Sequence, residues 1–308
     1  MNICLVGDPE DLSVVYVAWM ARSKGIEVIE LSEDLFGTNW SFSFEDLSLE
    51  EGKIKINNKN FQFSEFDGAY VRFNPSPSLP PSLKLSPEEQ GAFIVERRGA
   101  IEYFLNIIPI VVANRPSSGR SNSSKPYQMH LLTKAGFDVP EWIITNEIST
   151  IMRFTSNMKD GVIYKSCSGL RSRVRKLDNK ILQRMNNGTT PVVVQKYIEG
   201  HDVRVHVVKS KIFGTEIISN GIDYRFHSEP SEFRSISVPG KIRELCCKVT
   251  ESEGLIIAGF DFRVTENDQW YCLEVNPVPT FLPYEIETGQ QICNAMLQTF
   301  SRSIKNHN

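Results

Sequence analysis

The chain has 308 residues, 41% hydrophobic and 23% charged, the balance of a globular protein with room for more than one packed unit. Its net charge of −3 excludes a general electrostatic affinity for nucleic acid or for a membrane surface. No apolar run approaches the ~20 residues of a membrane span, and the six cysteines form no CxxC pair, so a reduced cytoplasm is the expected compartment.

From the N-terminus, "NICLVGD" predicts a strand, "DLSVVYVAWMARSKG" a helix stopped at Gly25, and "IEVIEL" a second strand. This is the β-α-β opening of a parallel-sheet lobe. No GxGxxG follows the first strand, so a dinucleotide site there is not expected. "SFSFEDLSLEEGKIKINNKNFQF" alternates as antiparallel strands, and "FDGAYVRFNPSPS" is a strand running into a Pro-rich loop at residues 74–88. A helix and the strand "IPIVVANRP" close this unit near residue 115.

A Ser/Gly-rich loop, a helix stopped at Gly136 and a strand after Pro140 come next. "GVIYKSCSGLRSRVRKL" then predicts two strands around a loop of small residues, and "TPVVVQKYIEGHDVRVHVVKSKIFGTEIIS" a run of consecutive strands. The helix "KIRELCCKVTESEG" precedes a hairpin, and a last helix is expected from about Thr288 to Ile304. The fold class expected is α/β followed by α+β, in three units: 1–115, 116–195 and 196–308.

The hairpin "GFDFRVTENDQWYCLEVNPVP" carries Asp261, Glu274 and Asn276. Side chains alternate along a strand, so Glu274 and Asn276 point the same way, and pairing across the Glu266–Gln269 turn lets Asp261 face them. Two carboxylates and an amide oxygen are hard ligands suited to Mg²⁺ or Mn²⁺; the alternative is a solvated hairpin end. Lys165 ends an apolar strand before the small-residue loop, and Lys125 precedes a helix in "SNSSKPYQ". Both are candidate phosphate cations, although the absence of GxxxxGK[ST] excludes a Walker loop. Gln195, Lys196, Tyr197 and Ile198 leave an apolar strand whose edge backbone groups could read an adenine. Beyond Gly200, Asp202, Arg204 and His206 share one face, as a ribose acid with a phosphate or carboxylate clamp, or as an intrastrand surface pair. Arg225 and Arg234 sit beside aromatics in a segment that reads as a loop, placed either to neutralise phosphate or simply in solvent. The other histidines have no metal or triad spacing, and Cys246–Cys247 falls inside a helix.

In order, "SKPYQ", "VIYKSCSG", "VVVQKYIEGHDVRVHVV", "EFRS", "GFDFRV" and "CLEVNP" resemble the ATP-grasp superfamily over residues 114 to 300. The branch they resemble is that of ribosomal-protein glutamate ligase, glutathione synthetase and graspetide macrocyclases. The resemblance implies an N-terminal β-α-β (Rossmann-like) lobe and two α+β subdomains enclosing ATP. It implies a cofactor set of ATP with Mg²⁺ (or Mn²⁺), and an ADP-forming carboxylate–amine ligase working through an acyl phosphate. Lys125 and Lys165 would reach the nucleotide, the hinge 195–198 would read adenine, and Asp202, with Arg204 as its partner, would hold ribose or phosphate. Arg234 would bind phosphate, Arg225, Arg234 or Arg204 would act in catalysis, and Asp261, Glu274 and Asn276 would hold the metal. The partner implied is an amino acid, a peptide, a ribosomal precursor peptide or a protein tail, in a protein whose relatives are often oligomers. A silent ATP-binding module and a small-molecule kinase are the alternatives. Two departures stand out: "SCSGLRS" has a single glycine with Arg171 and Arg173 nearby, and "VPTFLPYE" follows "EVNP" where a Gly-rich run is usual.

Overall fold

The computed structural model describes residues 1–44, 52–75, 77, 79, 84–167, 174–184, 190–219 and 232–301. The N-terminal sheet is parallel, in the order β2-β1-β6-β7, with β1 (Asn2–Gly7), β2 (Glu27–Ser32), β6 (Gly68–Arg72) and β7 (Val111–Ala113). Between β2 and β6 the strands β3 (Trp40–Ser43), β4 (Lys53–Ile56) and β5 (Lys59–Gln62) form a small antiparallel sheet. Asp11 begins α1 (Leu12–Ser23) by accepting the Ser13 N–H at 2.8 Å. Ser86, Pro87 and Glu89 begin α2 (Pro87–Ile107) as a capping box.

α1 lays Val14, Val17 and Ala18 on one face of this sheet, where they share a core with Ile292, Met296 and Phe300 of the last helix, α8 (Ile292–Ser301). The end of the chain therefore completes the core of its beginning. α2 covers the other face through Ile101, Phe104 and Leu105. The helix expected from about Thr288 is α8; before it the structure has a helix not expected from the sequence, α7 (Leu282–Thr288), which ends at Gly289 in the left-handed region.

The second sheet, β10-β9-β11-β8, combines β8 (Trp142–Thr145), β9 (Val162–Ser166), β10 (Arg175–Lys176) and β11 (Val192–Lys196), all antiparallel. It is preceded by α3 (Lys125–Ala135), capped by Ser124 and stopped at Gly136 with φ +104°. Two further helices not expected from the sequence, α4 (Ile148–Ser156) and α5 (Asn179–Arg184), flank β9 and β10 in chain order. α4 packs Ile151 against Val162 and Val194.

The third sheet, β14-β13-β12-β15-β16, is antiparallel: β12 (His201–Val208), β13 (Lys211–Ile218), β14 (Glu232–Ile236), β15 (Ile257–Val264) and β16 (Trp270–Asn276). One face carries Val203, Val205, Val207, Phe260 and Phe262 against α6 (Gly240–Ser252) and the end of α3. The opposite face carries the polar set Asp202, Arg204, Asp261 and Glu274. Among the described residues no helix is long and apolar enough to cross a membrane.

Candidate active site in the cleft between two sheets

A cleft lies between the second and third sheets. The second sheet contributes Lys165 from β9 and Gln195 to Ile198 from β11 and the turn after it. The third contributes Asp202, Asp261, Arg263 and Glu274, and the start of α3 contributes Lys125. Nine of the residues singled out in the sequence thus meet in one place, drawn from chain segments up to 149 residues apart.

Register explains how the third sheet presents its acids. Arg204 pairs with Asp261, Asp261 with Glu274, and Gly259 with Asn276, so these side chains share a face. Beyond Asp261 the pairing shifts, Phe262 opposing Cys272, which leaves Leu273 as the extra residue of a bulge. The bulge turns both Leu273 and Glu274 into the cleft while Cys272 stays in the core. Asn276 is not part of the cleft wall; its Oδ1 accepts the Val278 N–H at 2.9 Å, holding the turn that follows.

The charges pair across strands. Asp202 does not pair with Arg204, as expected from strand alternation, but accepts from Arg263 Nη1 at 2.9 Å. Arg204, 5% exposed, donates to Asp261 instead. Both β12 ("DVR") and β15 ("DFR") carry an acid two residues before an arginine, and antiparallel pairing sets each acid against the other strand's arginine. Burial raises the Asp261 carboxyl to about 6, with Arg204 lowering it and Glu274 raising it further. Lys125 Nζ lies 3.3 Å from Glu274 Oε2.

Gln128, Gly259 and Arg72, which the sequence did not single out, hold this set in place together with His206. Gln128 grips Val275 twice: Nε2 donates to its carbonyl at 2.6 Å and Oε1 accepts its N–H at 3.3 Å. That fixes the backbone between Glu274 and Asn276 to α3. Gly259 lies under the Arg204 guanidinium; a Cβ there would sit 2.7 Å from Nη2 and 2.8 Å from Pro279 Cβ. His206 is fully buried beside Arg204, and burial, helped by that cation, pushes its imidazole well below the ordinary value. Its Nε2 is 3.1 Å from the Thr280 carbonyl oxygen. Arg72, at the end of β6, ion-pairs with Asp11 at 2.6 Å and reaches Thr280 Oγ1 at 3.1 Å, joining the N-terminal lobe to the segment after Asn276.

The hinge is partly committed. The N–H groups of Lys196 and Tyr197 donate to Glu141 and Gly161 at 2.8 and 3.1 Å, and the Ile198 carbonyl accepts Arg263 Nε at 3.1 Å. Gln195 is 1% exposed, and its Oε1 lacks a partner among the described residues.

Arg234 is not brought to the cleft. "EFRSI" is a strand, β14, rather than a loop, and in register Arg234 opposes Glu216, which opposes Val203 on the face away from Arg204. Arg234 is exposed and ion-pairs with Glu232 at 2.9 Å. Arg225 and the loop 168–173, with Arg171 and Arg173, lie outside the described residues.

Chemically, the cleft offers two carboxylates and a nearby amide as hard oxygen donors, with lysines and arginines to meet an anion. Among the described residues no three or more of His, Cys, Asp and Glu cluster as a metal site. A cation held by two carboxylates needs further oxygens from a ligand, which is how Mg²⁺ sits on substrate phosphates.

A family model described as a RimK-like ATP-grasp domain matches residues 122–300. An uncharacterised protein of Methanocaldococcus jannaschii is 26% identical over 235 residues, 72% of this chain but only 58% of that protein's length. Among solved structures, the ATP-grasp ligase PsnB with a phosphomimetic precursor variant, Mg and ADP is similar with a TM-score of 0.83 at 23% identity, covering 97% of each chain. The macrocyclase MdnC of Microcystis aeruginosa, bound to precursor peptide MdnA, has a TM-score of 0.84 at 17% identity, covering 98% of this chain and 100% of that one. At these identities the likeness is one of fold.

Proposed function

Because the chain belongs to the RimK-like ATP-grasp family, we propose that it is an ADP-forming ligase joining a peptide carboxylate to an amine or hydroxyl. The observation that carries this reading is the convergence of Lys125, Lys165, Asp261 and Glu274 beside the hinge 195–198 in one cleft, with Arg204 bonded to Asp261. ATP would lie between the two sheets with its base at the hinge. The N–H groups of Lys196 and Tyr197 are already used, so the base falls to the Ile198 N–H, the hinge carbonyls and the Gln195 side chain. Asp202, held by Arg263, would take the ribose, and Lys125 and Lys165 the phosphates.

The carboxylates of Asp261 and Glu274 fit Mg²⁺ or Mn²⁺, and Asn276 would join them only by releasing the Val278 N–H from its Oδ1. When bound, that ion supplies charge neutralisation on the transferring phosphoryl group. Arg204 stands beside Asp261 and would steady the negative charge that develops as a substrate carboxylate attacks the γ-phosphorus. The resulting acyl phosphate would be captured by the amine or hydroxyl, releasing phosphate. Arg234 has no part in this account, because its strand directs it away from the cleft. The similar structures bound to precursor peptides favour a peptide as substrate.

The test is ADP release from Mg·ATP with pools of amino acids, short peptides and candidate precursor peptides, with products followed by mass spectrometry. Pool-dependent ADP release with a product lighter by one water is expected. A phosphorylated product that accumulates would replace the ligase with a kinase. Tight ATP binding without turnover from any pool would favour a binding module.

A further inference from the structure

Both candidate metal carboxylates have cations beside them. Lys125 Nζ lies 3.3 Å from Glu274 Oε2, and Arg204 Nη1 is bonded to Asp261 Oδ1. Lys165, 7% exposed, lines the same cavity. Three fixed cations thus stand around two carboxylates that are themselves register partners on adjacent strands. A bare divalent ion entering here must compete with Lys125 for Glu274 and then remain beside the displaced ammonium. A metal–nucleotide chelate brings its own anions. Its phosphate oxygens can accept Lys125 and Lys165 while the metal takes the carboxylates, so each group exchanges one partner for another and none is left bare.

We propose that Lys125 is a specificity-determining residue: by occupying Glu274 it makes the carboxylate pair select a metal–nucleotide chelate over a free divalent ion. The inference rests on the nucleotide reading of the cleft. Lys125 suits the part because it is the first residue of α3, with its backbone fixed by the Ser124 cap and by an N–H bond to the Cys167 carbonyl at 3.4 Å. Gln128, one turn further on, clamps the strand that carries Glu274. The distance between the ammonium and the carboxylate is therefore set by a rigid helix–strand contact, and the charge is free to change partners without movement of either element.

The experiment is equilibrium dialysis of Mn²⁺, alone and as Mn·ADP, with the full chain carrying Lys125→Met, Lys125→Arg or Glu274→Gln. The wild type is expected to hold free Mn²⁺ at least tenfold more weakly than Mn·ADP. Lys125→Met should bind free Mn²⁺ about tenfold more tightly than wild type and bind Mn·ADP more weakly, whereas Lys125→Arg, which keeps the charge, should gain nothing for free Mn²⁺. A merely structural lysine would not produce a gain in metal affinity on its removal. Free Mn²⁺ affinity that is unchanged or reduced in Lys125→Met, with wild-type Mn·ADP binding intact, overturns the selection. Mn·ADP binding that is indifferent to Glu274→Gln overturns the metal assignment beneath it as well.

Discussion

Asp202 and Arg263 face each other across β12 and β15 at 2.9 Å, and the same register sets Arg204 against Asp261. The two pairs have different duties. Arg263 also donates to the Ile198 carbonyl, so the Asp202 pair ties the hinge to the third sheet. The Arg204 pair lies one step further along the strands, next to Glu274. Base-side binding and phosphate-side chemistry are thus separable by mutation.

Asp202→Asn leaves Arg263 its hinge contact but removes its carboxylate. Loss of a charged hydrogen bond at this partly buried site should cost about 1.5–3 kcal/mol of stability, read by denaturant titration. The KM for ATP should rise about tenfold while Mn²⁺ dependence at saturating ATP stays unchanged. A changed Mn²⁺ dependence with an unaltered KM would reverse the assignment of the two pairs.

Gly259→Ala places a methyl where the Arg204 guanidinium and Pro279 now lie. Arg204 must shift, and a displacement near 1 Å costs on the order of a hundredfold in rate. The expected signature is a fall in kcat with little change in the KM for ATP, because the hinge is remote from Gly259. Wild-type kcat in this variant would mean that Arg204 does not act in the chemical step.

The sequence made the cleft legible where chemistry and strand periodicity coincide. Asp261, Glu274 and Asp202 are acids in apolar strands, and Lys165 is a lysine in one, so each raises a question that burial alone does not answer. The pairing of charges was not: strand alternation suggested an intrastrand Asp202–Arg204 pair, and only antiparallel register sets each acid of "DVR" and "DFR" against the other strand's arginine. Gln128 and Gly259 were not legible, because their roles are contacts with Val275 and Arg204 from distant segments. Arg234 misled for the opposite reason. Its motif resemblance concerns residue type, whereas its placement follows from the alternation of "EFRSI", which directs it to the face opposite Arg204. The division at residues 115 and 195 follows sheet order but not the core, since α8 packs beside α1.

Gln128→Leu keeps the volume of the side chain but leaves the Val275 N–H and carbonyl without partners in a buried place. The cost should be about 1–3 kcal/mol per unsatisfied group. Because those groups flank Glu274 and Asn276, Mn·ADP affinity should fall about tenfold, and ADP should lose less affinity when no metal is present. A variant that melts early but binds Mn·ADP as the wild type does would reduce Gln128 to a packing role.

Acid should weaken metal–nucleotide binding at a pH above the usual carboxylate range. Burial raises Asp261 to about 6, and the proton it takes up there competes directly with a cation for the same oxygens. The native value lies above the ordinary 3.8, so the charged form needed for binding is present at pH 7 and is lost as pH falls through about 6. Between pH 7 and pH 5 the Mn·ADP affinity should drop about tenfold, with proton uptake by Asp261 accompanying release of the metal. Asp261→Asn should bind weakly at both values and show no inflection in this window. An inflection near pH 4 in the wild type would place Asp261 in a far more solvated setting than the Arg204–Glu274 face provides, and would remove the physical basis for assigning it to the metal.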